Sequence, residues 1–318
     1  MNYYIHVPFC RSKCGYCAFY SEAAPVPGAV DAYLDRLEFQ FERLEPAEPC
    51  ETVYFGGGTP TLLSEMQLER LFSMTARALR PDSETEISIE ANPETLTVPK
   101  IALLRSFASR ISLGVQSFDA RFRATLGRDC EQAALERAIE RVAAARFPHW
   151  SCDLIYAIPG QEPADFERDL ARAVALGIDH LSCYSLTPEE GARLADSLIP
   201  DEDDAARMWE LAGRCGLPRY EISNYAAPGC ECRHNRNVWR GGLLTGLGPA
   251  AAGFDGTDRK SEPASLAGWL RGDPPEIDAI APAERLNEIF AVNLRTASGW
   301  TPELWAKVPN ADAWDARV

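Results

Sequence analysis

The sequence is short of positive charge, has little histidine, and carries no long apolar run. Across 318 residues, 32 Lys and Arg face 47 Asp and Glu, a formal net charge of −15, and only 4 His are present. No stretch gathers Lys and Arg. Nucleic acid and anionic membranes are therefore excluded as main partners, because both require a basic footprint, and membrane association is at most peripheral. No apolar run approaches the roughly 20 residues of a membrane-spanning helix. An apolar strand starts at Tyr3, which leaves no room for a signal peptide, so the expected location is the cytoplasm. Internal repeats and low-complexity tracts are also missing.

Cysteine is the residue present in quantity. There are 10, and in a cytoplasmic chain they argue for metal or thiol chemistry rather than disulfides. Cys50, Cys130, Cys152, Cys183 and Cys215 are scattered and read as small core or surface residues. Cys230 and Cys232 form a close pair in a loop and read as bystanders. Cys10, Cys14 and Cys17 fall in a polar, Gly-containing loop directly after the aromatic-rich run Tyr3–Phe9, a strand whose ladder Pro8 ends. Three thiolates on one loop can ligate one metal centre. A closed zinc or iron–sulfur site takes four ligands, and Ala18, Phe19 and Tyr20 offer no fourth. Zinc and disulfides remain as rivals. Chemistry favours a [4Fe–4S] cluster whose fourth iron takes a small chelating ligand.

The chain is 46% hydrophobic and 25% charged, enough for a large core in one α/β domain with something smaller beside it. Strand patterns at 52–55, 86–90, 110–115, 151–156 and 180–185 alternate with helical spacing near 31–44, 64–80, 98–108, 131–145, 163–176 and 202–215. Asp31 is the expected N-cap of the first helix, and Ser64 with Gln67 has the form of a capping box. Strand then helix, six times over, predicts a parallel sheet with right-handed crossovers. The count falls short of a closed eight-unit barrel. A partly open barrel is the expectation, with a doubly wound sheet as the alternative. Cys10, Gly56 to Thr59, Glu90, Gln116, Asp153 and Tyr184 all fall near C-terminal strand ends, the edge where such folds bind ligands. Gly56-Gly57-Gly58-Thr59-Pro60 reads as a tight loop whose amides approach a small ligand. The absence of a following Lys disfavours phosphate.

These motifs, in order, resemble the radical S-adenosylmethionine (SAM) superfamily. Cys-x₃-Cys-x₂-Cys follows Tyr-Ile-His-Val-Pro-Phe and is succeeded by Gly56–Thr61, Ile89-Glu90, Ser112–Ser117, Asp153–Tyr156, Pro159–Gln161, Tyr220–Ala226 and Cys232–Asn235. Within the superfamily the chain is similar to the branch holding oxygen-independent coproporphyrinogen III oxidase and the HemW-type haem chaperones. The resemblance implies a partial (β/α)₆ barrel. It implies Cys10, Cys14 and Cys17 as cluster ligands, with SAM on the fourth iron. It also implies Tyr4, Tyr16, Gly57, Gly58, Thr59, Glu90, Gln116, Arg128 and Asp153 as SAM contacts. The oxidase pattern has a further cysteine two residues after the third, where this chain has Phe19, and an N-terminal extension, where this chain has nine residues before Cys10. Both differences point to the chaperone. So does His234-Asn235-Arg236-Asn237-Val238-Trp239, which resembles the chaperone's haem motif with Val238 in place of Tyr. His234 is the implied haem ligand, and an ordinary hydrogen-bonded His is its rival.

The expected organisation is a barrel over 1–225, a haem-motif and connecting segment over 226–280, and a truncated start of an α-rich C-terminal domain over 281–318. The expected function is haem delivery to acceptors such as respiratory haemoproteins. Oxidative decarboxylation of coproporphyrinogen III is the alternative.

Overall fold

The computed structural model describes residues 1–45, 48–187, 192–194, 202–308 and 311. Six strand–helix units run in order: β1 (Asn2–Val7) and α1 (Ala29–Glu42), β2 (Thr52–Gly57) and α2 (Glu65–Leu79), β3 (Glu86–Ala91) and α3 (Val98–Phe107), β4 (Arg110–Gln116) and α4 (Gln132–Ala145), β5 (His149–Tyr156) and α5 (Pro163–Ala175), β6 (His180–Ser185) and α6 (Glu202–Ala212). The strands pair in parallel in their chain order, β1 to β6, without reversal. A doubly wound sheet has a reversal in strand order, so the alternative is excluded. β1 and β6 do not pair with each other, and the barrel stays open.

The strands alternate, apart from the apolar run Leu154-Ile155-Tyr156 that ends β5. Tyr3, Ile5 and Val7, Val53 and Phe55, Ile87 and Ile89, Ile111 and Leu113, and Cys152 and Leu154 are buried in one core, where Leu34, Leu37, Leu68, Leu104, Leu135 and Phe166 of the surrounding helices meet them. Each such side chain contributes about 1.5–3 kcal/mol by leaving water. The opposite positions are polar: Asn2, Tyr4 and His6; Thr52 and Tyr54; Glu86, Ser88 and Glu90; Arg110 and Ser112; Ser151 and Asp153; His180 and Ser182. Side chains two apart share a face, so this sheet has an apolar outside and a polar inside. A closed (β/α)₈ barrel fills its interior with bulky aliphatics. Here the interior is lined for a ligand.

The capping box at Ser64 and Gln67 forms in both directions. Asp31 does not cap: Gly28 precedes α1, and Asp31 lies in its first turn, accepting from Gln67 Nε2 at 2.8 Å. The larger difference comes after residue 225. β7 (Asn224–Ala226) lies antiparallel to β6, and α7 (Arg233–Trp239) follows. β8 (Leu244–Leu247) then adds in parallel to the free edge of β1, and β9 (Ala252–Phe254), β10 (Asp258–Ser261) and β11 (Glu276–Ala279) extend that edge antiparallel. The stretch 226–280 is thus part of the same sheet rather than a connector. Its strands are three or four residues long and interrupted by Gly and Pro, too short to display a period of two. Beyond them α8 (Pro282–Asn293) packs Leu286 and Ile289 with Val308 in a small satellite core. Positions 309, 310 and 312–318 of the expected C-terminal region lie outside the described residues.

Candidate cluster and cofactor site

Cys10, Cys14 and Cys17 sit in the loop leaving β1, all free and part-buried. Val7 ends the strand before Pro8, as expected, and Phe9–Cys10 pairs briefly with Glu22–Ala23, turning the loop back over the barrel mouth. The Gly15 amide donates to Leu126 O at 2.9 Å, fastening the loop to the turn that carries Arg128. Tyr16 packs beside Phe122, Leu126 and Ile158.

Arg128 draws the site together. Its Nη1 lies 3.7 Å from Cys14 Sγ, while Nη2 donates to Asn92 Oδ1 at 2.6 Å and to Gly114 O at 2.9 Å. Asn92 Nδ2 in turn donates to Thr59 Oγ1 at 2.8 Å, and Cys10 Sγ stands 3.6 Å from that hydroxyl. Two of the three thiols are thereby joined through one polar chain. Gln116 takes φ +66 at a bulge in the β4–β5 ladder. A Cβ on Gly114 would come within 3.0 Å of the Gln116 amide and 3.1 Å of Arg128 Nη2, so that glycine makes room for both.

The amides of the glycine loop are bonded within the fold. Gly58 N donates to Val7 O at 2.8 Å and Thr59 N to Phe9 O at 2.7 Å, and the Gly57 amide faces the Glu90 carboxylate. These amides hold β1 and Glu90. Close packing explains the glycines: at Gly57, φ +104, a Cβ would meet the His6 ring at 2.6 Å, and at Gly58 it would meet the Phe9 backbone at 2.7 Å.

Below the mouth, Glu90 and Asp153 face each other across the polar interior. Glu90 Oε1 accepts from Tyr54 OH at 2.9 Å, and Asp153 accepts from Ser112 Oγ at 2.9 and 3.0 Å. Burial pushes the Glu90 carboxyl up to about 7, with Tyr54 opposing and the Asp153 charge assisting. Burial also raises Asp153, against its bonds to Ser182 and Ser112. Tyr4 lies deeper, its OH 3.1 Å from His6 Nδ1 and its ring stacked on Tyr54.

The donor set fits a cluster better than a single ion. Zinc–thiolate bonds of about 2.3 Å bring tetrahedral sulfurs to roughly 3.8 Å of one another. Among the described residues the metal-type group meeting within 4.8 Å is His149, Asp179 and Cys230, not the three loop cysteines. A cubane sets a separate iron under each thiolate and accepts wider spacing. The Arg128 Nε, buried and without a partner, adds an unused donor at this edge.

His234 stands apart. α7 lies across the N-terminal ends of the strands: the His234 amide donates to Glu86 Oε1 at 3.1 Å, and its Nδ1 is 2.8 Å from Thr52 Oγ1. Its ring, 5% exposed as a residue, packs on Tyr54 at 5.0 Å. The cysteine loop and His234 therefore occupy opposite ends of strands six residues long, which span about 17 Å from first residue to last. Sequence reasoning missed Asn92, Tyr54 and Ser112. Asn92, before Pro93 at the end of β3, and the period-two polarity of the strands were the available signals.

Residues 4–173 match the Radical SAM superfamily, and the chain belongs to it. Within that superfamily its family is that of HemW. It is 39% identical over 275 residues to the haem chaperone HemW of Mycobacterium tuberculosis, covering 80% of this chain and 70% of that protein. With HemW of Bacillus subtilis it shares 31% over 328 residues, 96% of this chain and 86% of the relative. The coproporphyrinogen III oxidase HemN of Escherichia coli superposes with a TM-score of 0.79 over 90% of this chain and 73% of that one, at 22% identity; that likeness shows a shared fold. Among the described residues no helix is long and apolar enough to cross a membrane.

Proposed function

We propose that this protein is a cytoplasmic haem chaperone that holds a [4Fe–4S] cluster and SAM and passes haem to acceptors such as respiratory haemoproteins. The observation that carries the cofactor reading is the convergence of Cys10, Cys14, Thr59, Asn92 and Arg128 on one barrel edge. The haem reading draws its support from the chain's likeness to haem chaperones over most of its length.

Cys10, Cys14 and Cys17 would hold three irons, and Tyr4, Tyr16, Gly57, Gly58, Thr59, Glu90, Gln116, Arg128 and Asp153 would surround SAM. When bound, cluster and SAM supply one-electron cleavage of a carbon–sulfur bond. Arg128 sets a guanidinium 3.7 Å from the Cys14 sulfur and fixes its orientation through Asn92 and Gly114. Glu90, with its carboxyl near neutrality, holds or releases a proton at Oε inside the mouth, next to any hydroxyl or amine placed there. Haem transfer requires no large rate enhancement, so these residues need only bind and orient. With Nδ1 at 2.8 Å from Thr52 Oγ1, His234 has only Nε2 to offer haem, and because the residue is buried and packed on Tyr54, α7 has to shift to open a path to it.

The test is haem titration of anaerobically reconstituted protein, beside an assay of coproporphyrinogen III turnover with SAM and a reductant. Saturable binding without turnover supports the chaperone. Turnover without haem binding supports the oxidase instead. Faster amide exchange in α7 on haem addition would support His234 as ligand; unchanged exchange counts against it.

A further inference from the structure

At the barrel end opposite the cysteine loop, three residues from separate stretches bring metal-ligating atoms together: His149 at the start of β5, Asp179 just before β6, and Cys230 in the loop from β7 to α7. All their ligand atoms lie within 4.8 Å of one another. His149 Nδ1 and Asp179 Oδ2 are 2.6 Å apart, with side chains 30% and 24% exposed. The group is thus sheltered yet reachable from solvent.

Each ligand is held from behind. Asp179 Oδ1 accepts from the Trp150 amide at 3.2 Å, leaving Oδ2 for the site. The His149 amide donates to Ser109 O at 3.0 Å, continuing the parallel ladder. Ala227 N donates to Asp179 O and Cys230 N to Ala227 O, each at 2.9 Å, so the cysteine's turn is hung on the aspartate's own backbone. Arg110 Nη2 fixes the Cys230 carbonyl at 2.8 Å, and Glu86 faces that guanidinium at 3.4 Å.

We propose that His149, Asp179 and Cys230 form a site for a divalent transition metal of the zinc class, with a water completing the fourth position. Imidazole, carboxylate and thiolate are the donor types that zinc accepts, and their summed charge matches a divalent cation. A tetrahedral ion with bonds of about 2.0 Å to nitrogen and oxygen spaces those atoms about 3.3 Å apart. Insertion therefore asks His149 and Asp179 to part by less than about 1 Å, which side-chain torsions provide. Burial and the Asp179 carboxylate push the Cys230 thiol up; a bound cation reverses that balance and deprotonates it. Cys230 lies two residues before Cys232, the N-cap of α7. The ion would tie the entrance of α7 to β5 and β6, clamping the helix that carries His234. The site does not depend on the chaperone reading, since His149, Asp179 and Cys230 are not among the residues assigned to cluster, SAM or haem.

The experiment loads the full-length reconstituted protein with Zn²⁺, removes loose ion with a weak chelator, and counts zinc per chain beside cluster iron. One retained zinc is expected. His149→Ala, Asp179→Asn and Cys230→Ser should each weaken retention by more than the roughly 10–100-fold that an outer-shell change costs, with iron content unchanged. Cys230→Asp, which keeps an anionic donor, should recover part of it. Circular dichroism without metal checks that each variant folds, and zinc should slow amide exchange in α7 of the parent but not of Cys230→Ser. Zinc that survives in folded Cys230→Ser and is lost in Cys14→Ala would lie in the cysteine loop and overturn the proposal. So would a parent protein that retains none.

Discussion

Arg128 and Cys14 are neighbours in the folded chain, Nη1 to Sγ at 3.7 Å across 114 positions of sequence. The same guanidinium is bound to Asn92 Oδ1 and Gly114 O, and 9% of the residue is exposed. The arginine therefore does two things at once: it places a positive charge beside the Cys14 sulfur and closes the polar chain to Thr59.

Arg128→Ala leaves a buried amide oxygen and a backbone carbonyl without donors. Each orphaned group costs about 1–3 kcal/mol, and urea denaturation should show at least one such loss. Arg128→Lys restores charge but not the fork; its cluster iron should hold while SAM affinity falls. Equal SAM affinity in the lysine variant would contradict the fork's role.

Glycine substitutions should rank by what the new Cβ meets. At Gly58 it meets the Phe9 backbone at 2.7 Å, whereas at Gly56 it meets the Tyr54 and Glu90 side chains at 3.0 and 3.1 Å. Backbone yields less than side chain, so Gly58→Ala should cost roughly 1–3 kcal/mol and Gly56→Ala less. Iron content after reconstitution should fall in the same order, because Phe9 leads directly into Cys10.

Glu90 gives stability a pH dependence of known sign. In the unfolded chain its carboxyl ionises near its ordinary value of 4.5, but in the fold only near 7. Between these limits the native state binds more protons, so stability falls as pH rises and its loss is complete above about 7. Asp153, also raised by burial above its ordinary 3.8, acts in the same direction. Glu90→Gln keeps the acceptor for Tyr54 and should flatten the slope across pH 5–7. Thermal midpoints across pH would check this; an unchanged slope in the variant contradicts it.

His234 has the opposite sign. Burial drives its imidazole down to about 4 from an ordinary value of 6.5. Below 6.5 the unfolded chain takes up a proton that the native state refuses, so stability is lost as pH falls toward 4. His180, lowered to about 3 chiefly by burial, adds to the same acid limb. His234→Ala should weaken that limb and, by deleting the Thr52 bond, cost about 1–3 kcal/mol at neutral pH.

Much of the barrel was legible because its signals are local. Strands such as Glu86–Ala91 alternate cleanly, Ser64 and Gln67 cap each other three residues apart, and both patterns survive folding unchanged. The cysteine loop stood out for the same reason: Cys10, Cys14 and Cys17 share eight residues of chain. Asn92 was not, since its importance comes from Thr59 and Arg128, 33 and 36 positions away. β8 to β11 were missed because three- and four-residue strands carry no period. Cys230 read as a bystander because its companions, His149 and Asp179, are distant in sequence and adjacent only in the sheet.

The most direct test of the central claim is haem hand-over from the reconstituted, haem-loaded protein. The Soret band would be followed on mixing with an apo form of a b-type respiratory haemoprotein, and separately with apomyoglobin as a general scavenger. The account predicts transfer to the respiratory acceptor faster than haem dissociation to the scavenger, and slower transfer when Cys14→Ala removes the cluster. Equal rates to both acceptors, with or without the cluster, would contradict it.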